Sequence, residues 1–535
     1  MALEHWLLPL VPVVCAFFAG EGIFHYFQLE SYQFPGFFRT LKRNRNHAWL
    51  PGLCVTVASL ALYYGFDQLT AIEMPLWAVS LCVMGLLLIA AGMGYAIGRA
   101  FAEKRPKKKF VYTSRVKRLY GVFFVGACAL SLAMGQTAVA ILPALWPLAL
   151  PIVVALAGLL AWPLEKLISE FYFQDAHRKL LASPDLLRIG ITGSYGKTSV
   201  KHILGTILAE KFPTLVTPAS FNTPMGVSRA IRESLTPTYQ VFVAEMGARH
   251  VGDIREMCRL VKPTIGILTS VGPQHLDTFK TVDRIAKTKY ELIQALPQEN
   301  SHCYFYNDNG TCKQMHARTQ KAKTLVSLEK GQGDVWCEDI SVSPKGSHFT
   351  LHIQDKGSIE CQTALLGEHN IQNILLAAAV ASDLKLTLKQ IAHGISKLQP
   401  VKSRLELITS PGGFTIINDG FNSNPVGAKA ALKVLSAFPA RRIVITPGMV
   451  ELGEQEAEYN RELGQEIARN ADIAIVVGKK RAIPILEGLR AGGFGEDQIF
   501  QVSCFDESTA VLHSFVKPED TVLYENDLPD NYQEA

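Results

Sequence analysis

The chain has 535 residues, a formal net charge of +5, a hydrophobic fraction of 48% and a positive mean hydropathy, which is room for about three domains and more apolar content than a chain of this size usually carries. The excess positive charge lies largely beside the apolar runs of the N-terminal third, so it gives no reason to expect nucleic acid as a partner. The 10 cysteines are scattered without a C-x-x-C pair, which argues against a zinc ribbon or a disulfide framework and for a reducing compartment.

Five apolar runs fill the first 165 residues, near Trp6–Phe24, Trp49–Phe66, Pro75–Ile97, Leu119–Gly135 and Ala138–Leu164. Most are long enough to cross a bilayer as helices, and one signal peptide cannot account for five runs. Arg39, Lys42, Arg43 and Arg45 follow the first run, and a basic stretch from Arg99 to Arg118 follows the third, whereas the other connections are short and carry only Asp67 and Glu73. The positive-inside rule therefore places both basic loops in the cytoplasm, the N-terminus outside, and everything after about Glu165 in the cytoplasm, where ATP is. The same loops would attract anionic lipid headgroups.

From Glu165 to Ala182, apolar residues at helical spacing (Leu167, Ile168, Phe171, Tyr172, Leu180, Leu181) predict a connecting helix that stops before Ser183-Pro184. Leu187–Thr192, Gln240–Glu245 and Thr264–Val271 read as buried parallel strands, with helices following Lys197, Val251 and Asp283. Between Asp334 and Ala364 the pattern turns to period two, as in Ser347–Ile353 and Ser358–Thr363, and predicts a small antiparallel insert. Helices follow through Asn370–Leu384 and Thr387–Leu398. A second α/β unit begins near Arg404 with strand-like Phe414–Asn418, Arg442–Thr446 and Ile473–Val477. The expected organisation is an N-terminal α-helical membrane domain over 1–165, a connecting helix over 166–186, an α/β P-loop central domain over 187–402 and an α/β Rossmann-like C-terminal domain over 403–535.

The strongest chemical signal is Gly190-Ile191-Thr192-Gly193-Ser194-Tyr195-Gly196-Lys197-Thr198-Ser199-Val200-Lys201. A strand, a Gly-rich turn and a Lys-Thr pair opening a helix make a triphosphate cradle. Backbone N–H groups from Gly193, Ser194, Gly196 and the first helical turn through Ser199 wrap the phosphates, Lys197 neutralises them and the Thr198 hydroxyl holds Mg²⁺. The pattern is G-x-x-G-K-T-S, with Ile191 where a longer loop has its first glycine. Glu245 ends a predicted strand on the same side of the sheet, where a hard carboxylate can coordinate Mg²⁺ bridging two phosphates.

That shortened loop resembles the ATP loop of the Mur ligases and folylpolyglutamate synthases, enzymes that join a carboxylate to an amine at the expense of ATP. Glu245-Met246-Gly247-Ala248, Leu366-Gly367-Glu368-His369-Asn370 with Asn373, and Asn418-Asp419-Gly420-Phe421-Asn422-Ser423-Asn424-Pro425 then follow in the order of the Mur ligase family. The likeness runs from about Ile189 to Val522 and is strongest to the branch that adds D-alanyl-D-alanine. It implies an ADP-forming carboxylate–amine ligase using ATP and two Mg²⁺ ions. It implies that His275 helps hold the second ion, and that Lys289 is carbamylated by CO₂ into an anionic metal ligand, Lys287 being the competitor for that register. By the same likeness Asn370 and Asn373 contact adenine, with His369 capping their helix. Asp419 contacts the ribose and Arg404 reaches the phosphates on domain closure, while Asn222, Asn422 and Asn424 are candidates for the substrate groove.

Two departures from the family bear on substrate. An apolar helical domain stands where the cell-wall enzymes hold a UDP-sugar, and Val522–Tyr532, with Glu525, Asp527 and Asp530, replaces a basic Lys-Gly-Ser-Arg type of segment. These departures lead to the expectation of a lipid-linked or membrane-delivered acceptor on the bacterial inner membrane and of an amino acid or short peptide as the amine. The alternatives are D-alanyl-D-alanine addition to a soluble UDP-linked precursor and a poly-γ-glutamate type of synthesis. A different class, an ATP-driven membrane transporter, would need charges along a path, and only Glu21 and His25 lie within or near the end of an apolar run.

Overall fold

The computed structural model describes residues 4–70, 75–102, 109–137, 139, 141–421 and 423–528. These fall into two units, one ending at Glu170 and one running from Phe171 to Leu528.

The first unit is helical. Among the described residues, Arg45–Leu69, Trp77–Phe101, Ser114–Gly135 and Leu142–Leu181 are long and apolar enough to cross a membrane. Leu8–Ala19 and Glu21–Leu29, bent by 48° at their break, pass the same test as a pair. The five expected apolar runs lie on these helices, but the first is not straight: its break falls at Gly20, and Phe24 beyond it stacks on Tyr120 at 3.9 Å. The connecting helix is not a separate element, because a single helix, Leu150–Leu181, continues the last apolar run through Pro163. An interior proline removes one backbone N–H and normally breaks a helix. Here Leu150, Val154, Ala157 and Ala161 are buried on one face and hold the preceding turns, while Pro163 is exposed.

The second unit is built on two sheets. The first contains β1 (Leu187–Thr192), β2 (Thr214–Val216), β3 (Val241–Glu245), β4 (Ile265–Leu268), β5 (His302–Tyr306), β6 (Ala322–Val326), β7 (Val335–Ser343), β8 (Gly346–Ile353) and β9 (Gly357–Thr363), in the order β2-β3-β1-β4-β5-β6-β7-β8-β9. Strands from β2 to β7 pair in parallel, and β7, β8 and β9 pair antiparallel. The expected antiparallel insert is therefore an extension of the main sheet, joined through the single register pair Val326↔Val335. Both faces are covered: Val241 and Val243 pack into one core, Phe242 and Ala244 into the other, which is why these strands read as continuous apolar runs.

The helix α1 (Lys197–Leu208) leaves β1, and β1 lies between β3 and β4. The chain thus crosses to opposite sides of β1, and the C-terminal ends of β1, β3 and β4 open onto the crevice where α/β sheets bind ligands. The second sheet contains β10 (Glu406–Thr409), β11 (Thr415–Asp419), β12 (Arg442–Thr446), β13 (Ile473–Val477), β14 (Ile499–Val502) and β15 (Thr521–Glu525), in the order β10-β11-β15-β12-β13-β14. Only β10 is antiparallel.

Candidate active site

The phosphate loop joins β1 to α1 through Gly193–Gly196. Gly196 has φ +79°, and a Cβ there would lie 2.6 Å from Asn373 Oδ1, so both backbone and space require glycine. The segment after β4 clamps the loop. Ser194 N–H donates to Ser270 O (2.8 Å), Ser194 Oγ donates to Gly272 O (3.0 Å), Tyr195 N–H donates to Ser270 Oγ (2.8 Å) and the Tyr195 hydroxyl donates to Pro273 O (2.7 Å). The Ser194 hydroxyl therefore holds the loop in place. Ser270 and Gly272 belong to no motif and were not among the candidates. Lys197 Nζ donates to Gly193 O (2.7 Å) and Ser194 O (3.0 Å), which lays it across the loop. Burial lowers its pKa to about 8, with Glu245 pulling upward and Arg404 downward.

Glu245, at the end of β3, is 1% exposed. The Thr198 hydroxyl and Asn222 Nδ2 both donate to its Oε1 at 3.1 Å, and Lys201 Nζ lies 3.2 Å from its Oε2. Burial opposes ionisation of this carboxyl, but Lys201, Lys197 and Asn222 outweigh it and hold the pKa below the ordinary value. Lys201 had no role assigned from sequence, where it reads as one more polar residue of α1. Thr198 and Glu245 Oε1 are adjacent hard oxygen donors of the kind Mg²⁺ accepts. Among the described residues no three His, Cys, Asp or Glu side chains are grouped to hold a metal, so a cation here would complete its shell with water or phosphate oxygens.

Arg404, just before β10, donates from Nη2 to the Thr198 hydroxyl (3.3 Å) and lies over the Phe421 ring at 4.8 Å. An arginine belonging to the second sheet thus reaches the phosphate loop of the first.

His275 follows β4 and shares a hydrogen bond through Nδ1 with Glu451, a residue of the loop after β12. A carboxylate can only accept, which assigns the proton to Nδ1 and leaves Nε2 with its lone pair. Arg249 Nη2 also donates to Glu451 (3.4 Å). Burial lowers the pKa of His275 against the pull of Glu451, and Arg249 and Lys289 add to the lowering. Lys289 lies on α2 (Val282–Ala295), is 2% exposed and makes no salt bridge among the described residues. Burial, then Lys197, holds its pKa well below the ordinary lysine value against the weaker pull of Asp253, which favours the neutral amine. Lys287, two residues away, is exposed.

A narrow, open cleft beside α1 is lined by Ser199, His202, Thr206, Asn370 and Arg404 among others. Asn370 and Asn373 sit in the first two turns of α3 (Glu368–Asp383), one at this cleft and the other against Gly196. His369 does not cap α3: it is the second residue of the helix, which starts after Gly367 at φ +89°.

In the second sheet Asp419, the last residue of β11, accepts from Leu405 N–H (3.1 Å) and lies in register with Glu525 of β15. Burial pushes Asp419 up to about 6, and burial with the neighbouring Asp419 pushes Glu525 well above the ordinary carboxylate value. The Ser423 hydroxyl donates to Glu525. Asn424 caps α4 (Pro425–Leu435), its Oδ1 accepting from Gly427 N–H (2.8 Å), and Asn422 lies outside the described residues.

Comparison with known proteins matches residues 191–381 to the Mur ligase middle domain and residues 403–524 to the Mur ligase, glutamate ligase domain. A UDP-N-acetylmuramoyl-tripeptide–D-alanyl-D-alanine ligase of Mycobacterium bovis is 31% identical over 369 residues, covering 64% of this chain and 71% of that one. The enzyme of the same name from Escherichia coli is 31% identical over 294 residues, 55% of this chain and 64% of its own. Among solved structures, MurF from Acinetobacter baumannii superposes with a TM-score of 0.61 at 26% identity, covering 67% of this chain and 77% of that one. MurF from Thermotoga maritima in complex with ADP shares the fold at TM-score 0.61 and 24% identity, covering 67% and 80%. With two family domains in order over the two sheets and a relative alike across most of its length, the chain belongs to the Mur ligase family, as an ADP-forming, ATP-dependent amide ligase.

Proposed function

We propose that this ligase joins the amine of a short peptide to a carboxylate on a cell-envelope precursor, with D-alanyl-D-alanine addition as the best guide to its substrates. The two departures from the family point first to a lipid-linked acceptor. The relatives are named for UDP-N-acetylmuramoyl-tripeptide, and that alternative has the stronger support. The observation that carries the reading is the meeting of Lys197, Thr198 and Glu245 from one sheet with Arg404 from the other around a single loop.

The acceptor carboxylate attacks the γ-phosphate of ATP and ADP leaves; the amine then attacks the acyl phosphate, inorganic phosphate leaves and the amide forms, while Mg²⁺ would balance the phosphate charge. Lys197 and Arg404 would bear on the transferring group, where positioned charge contributes most in phosphoryl transfer. Thr198 and Glu245 would hold one Mg²⁺. The Nε2 of His275 would serve a second, together with Lys289, whose burial favours the neutral amine, the form that reacts with CO₂ to give a carbamate. The N-terminal helices support a membrane-held enzyme, with the N-terminus outside and the catalytic unit on the cytoplasmic side with the basic loops.

The test is ADP release by the full-length protein with Mg²⁺ and ATP, given D-alanyl-D-alanine and either UDP-N-acetylmuramoyl-tripeptide or a membrane lipid extract, with products weighed by mass spectrometry. The proposal expects a UDP-linked product heavier by the dipeptide minus water, lost in Lys197→Ala. A product found only in the lipid arm would restore the lipid-linked acceptor, and none in either arm would remove this substrate class.

A further inference from the structure

The N-terminal unit contains a narrow, open cleft that the ligase chemistry does not use. Phe27, Phe34, Leu119 and Trp162 wall it, and Arg115 and Glu165 stand at its polar end. Gly158 lets the wall close up, since a Cβ there would lie 2.5 Å from the Phe27 ring.

At the polar end the two arginines are held unequally. Glu165 is held in a two-bonded pair by Arg118, whose Nε and Nη2 donate at 2.6 and 2.9 Å. Arg115 is the weaker partner at 3.6 Å, its side chain is 40% exposed and its guanidinium lies 4.0 Å over the Tyr32 ring. Among the described residues one carboxylate, Glu165, thus faces two guanidiniums, and the more loosely held of the two belongs to the arginine that lines the cleft. Lys166, with Nζ 5.3 Å from the Trp162 ring, adds a second cation at the rim.

The place of this group along the helices is equally specific. Arg115 opens the apolar helix Ser114–Gly135, and Glu165 and Lys166 close the apolar stretch that includes the exposed Leu156, Leu159 and Leu160. Cations over aromatic rings at the boundary between apolar and charged surface, beside an aromatic-walled cleft, suit an amphiphile whose anionic head stays at that boundary. We infer that this cleft binds a membrane lipid with an anionic phosphate headgroup, the phosphate on Arg115 and the chain between Phe27, Phe34 and Trp162. The inference rests on the reading that these helices sit in a bilayer.

The experiment is native mass spectrometry of the full-length protein in mild detergent, titrated with dioleoyl phosphatidylglycerol, dioleoyl phosphatidylcholine or inorganic phosphate. Flotation with vesicles of both lipids separately tests the membrane reading. The expected result is one retained phosphatidylglycerol per chain, little phosphatidylcholine, and no competition by inorganic phosphate. Arg115→Gln should weaken retention about tenfold, the scale of one charge-assisted hydrogen bond. The exposed Lys117→Gln on the same helix should not change it. Glu165→Gln, which frees positive charge at the same place, should tighten it. Equal retention of the two lipids, displacement by inorganic phosphate, or unchanged retention in both Arg115→Gln and Glu165→Gln would overturn the site, even where flotation upholds the membrane reading.

Discussion

At the residue scale, burial assigns chemistry that residue type alone leaves open. Lys287 and Lys289 are indistinguishable as letters, yet one is exposed and the other enclosed with its amine biased toward the neutral form. If Lys289 is carbamylated, wild-type ligation should fall in CO₂-depleted buffer and return on adding bicarbonate. Lys289→Arg should be inactive in both while keeping ATP affinity within a few-fold, and Lys287→Arg should behave as wild type. Bicarbonate-independent wild-type activity would refute the carbamate. Asp419 and Glu525 give a second residue-scale prediction. Both carboxyls bind their protons more tightly in the folded chain than in the unfolded one. Their contribution is therefore fully favourable below the ordinary carboxylate pKa and is lost as pH rises through about 6, the value for Asp419, and beyond it for Glu525. Glu525→Gln keeps the acceptor for Ser423 and removes the second charge, so it should raise the melting temperature at pH 8 by a few degrees, about 1–2 kcal/mol, and have little effect at pH 4. Equal melting of the two proteins across that range would show that the pair is not a liability.

At the element scale, the strand–loop–helix that cradles phosphate depends on one backbone conformation. Gly196→Ala forces a side chain into a left-handed φ and against Asn373, so it should cost about 1–3 kcal/mol of stability and weaken ATP binding at least tenfold by calorimetry. Nucleotide affinity equal to wild type would mean that the loop tolerates another shape. This element was legible in the sequence because each part of it is local: Leu187–Thr192 is an apolar run buried on both faces, and glycine, lysine and threonine follow at fixed spacing. The edge strand Glu406–Thr409 was not legible, since it is short, half-exposed and paired on one side only. Asn424 was read as a substrate contact from a motif that also happens to be a helix start, and its side chain caps that helix.

At the scale of the catalytic unit, the least legible residue is Glu451, because its significance depends on His275, 176 positions earlier in the chain. Glu451 sits at φ +64° in the loop after β12 and accepts from both His275 and Arg249, two side chains of the first sheet's layer. These bonds, with that of Arg404 to Thr198, tie the second sheet to the first across the phosphate loop. An acyl phosphate is useful only while water is kept away, so contacts that hold the two sheets together should act on coupling more than on nucleotide binding. Charge-assisted bonds of this kind contribute about 1.5–3 kcal/mol. Glu451→Ala should therefore lower kcat for ligation about 10- to 100-fold, leave KM for ATP within a few-fold and raise the ADP released per amide formed. Glu451→Gln, which still accepts from His275, should lie between. If ADP and amide stay in the wild-type ratio in Glu451→Ala, the contact is structural and closure is held by Arg404 alone.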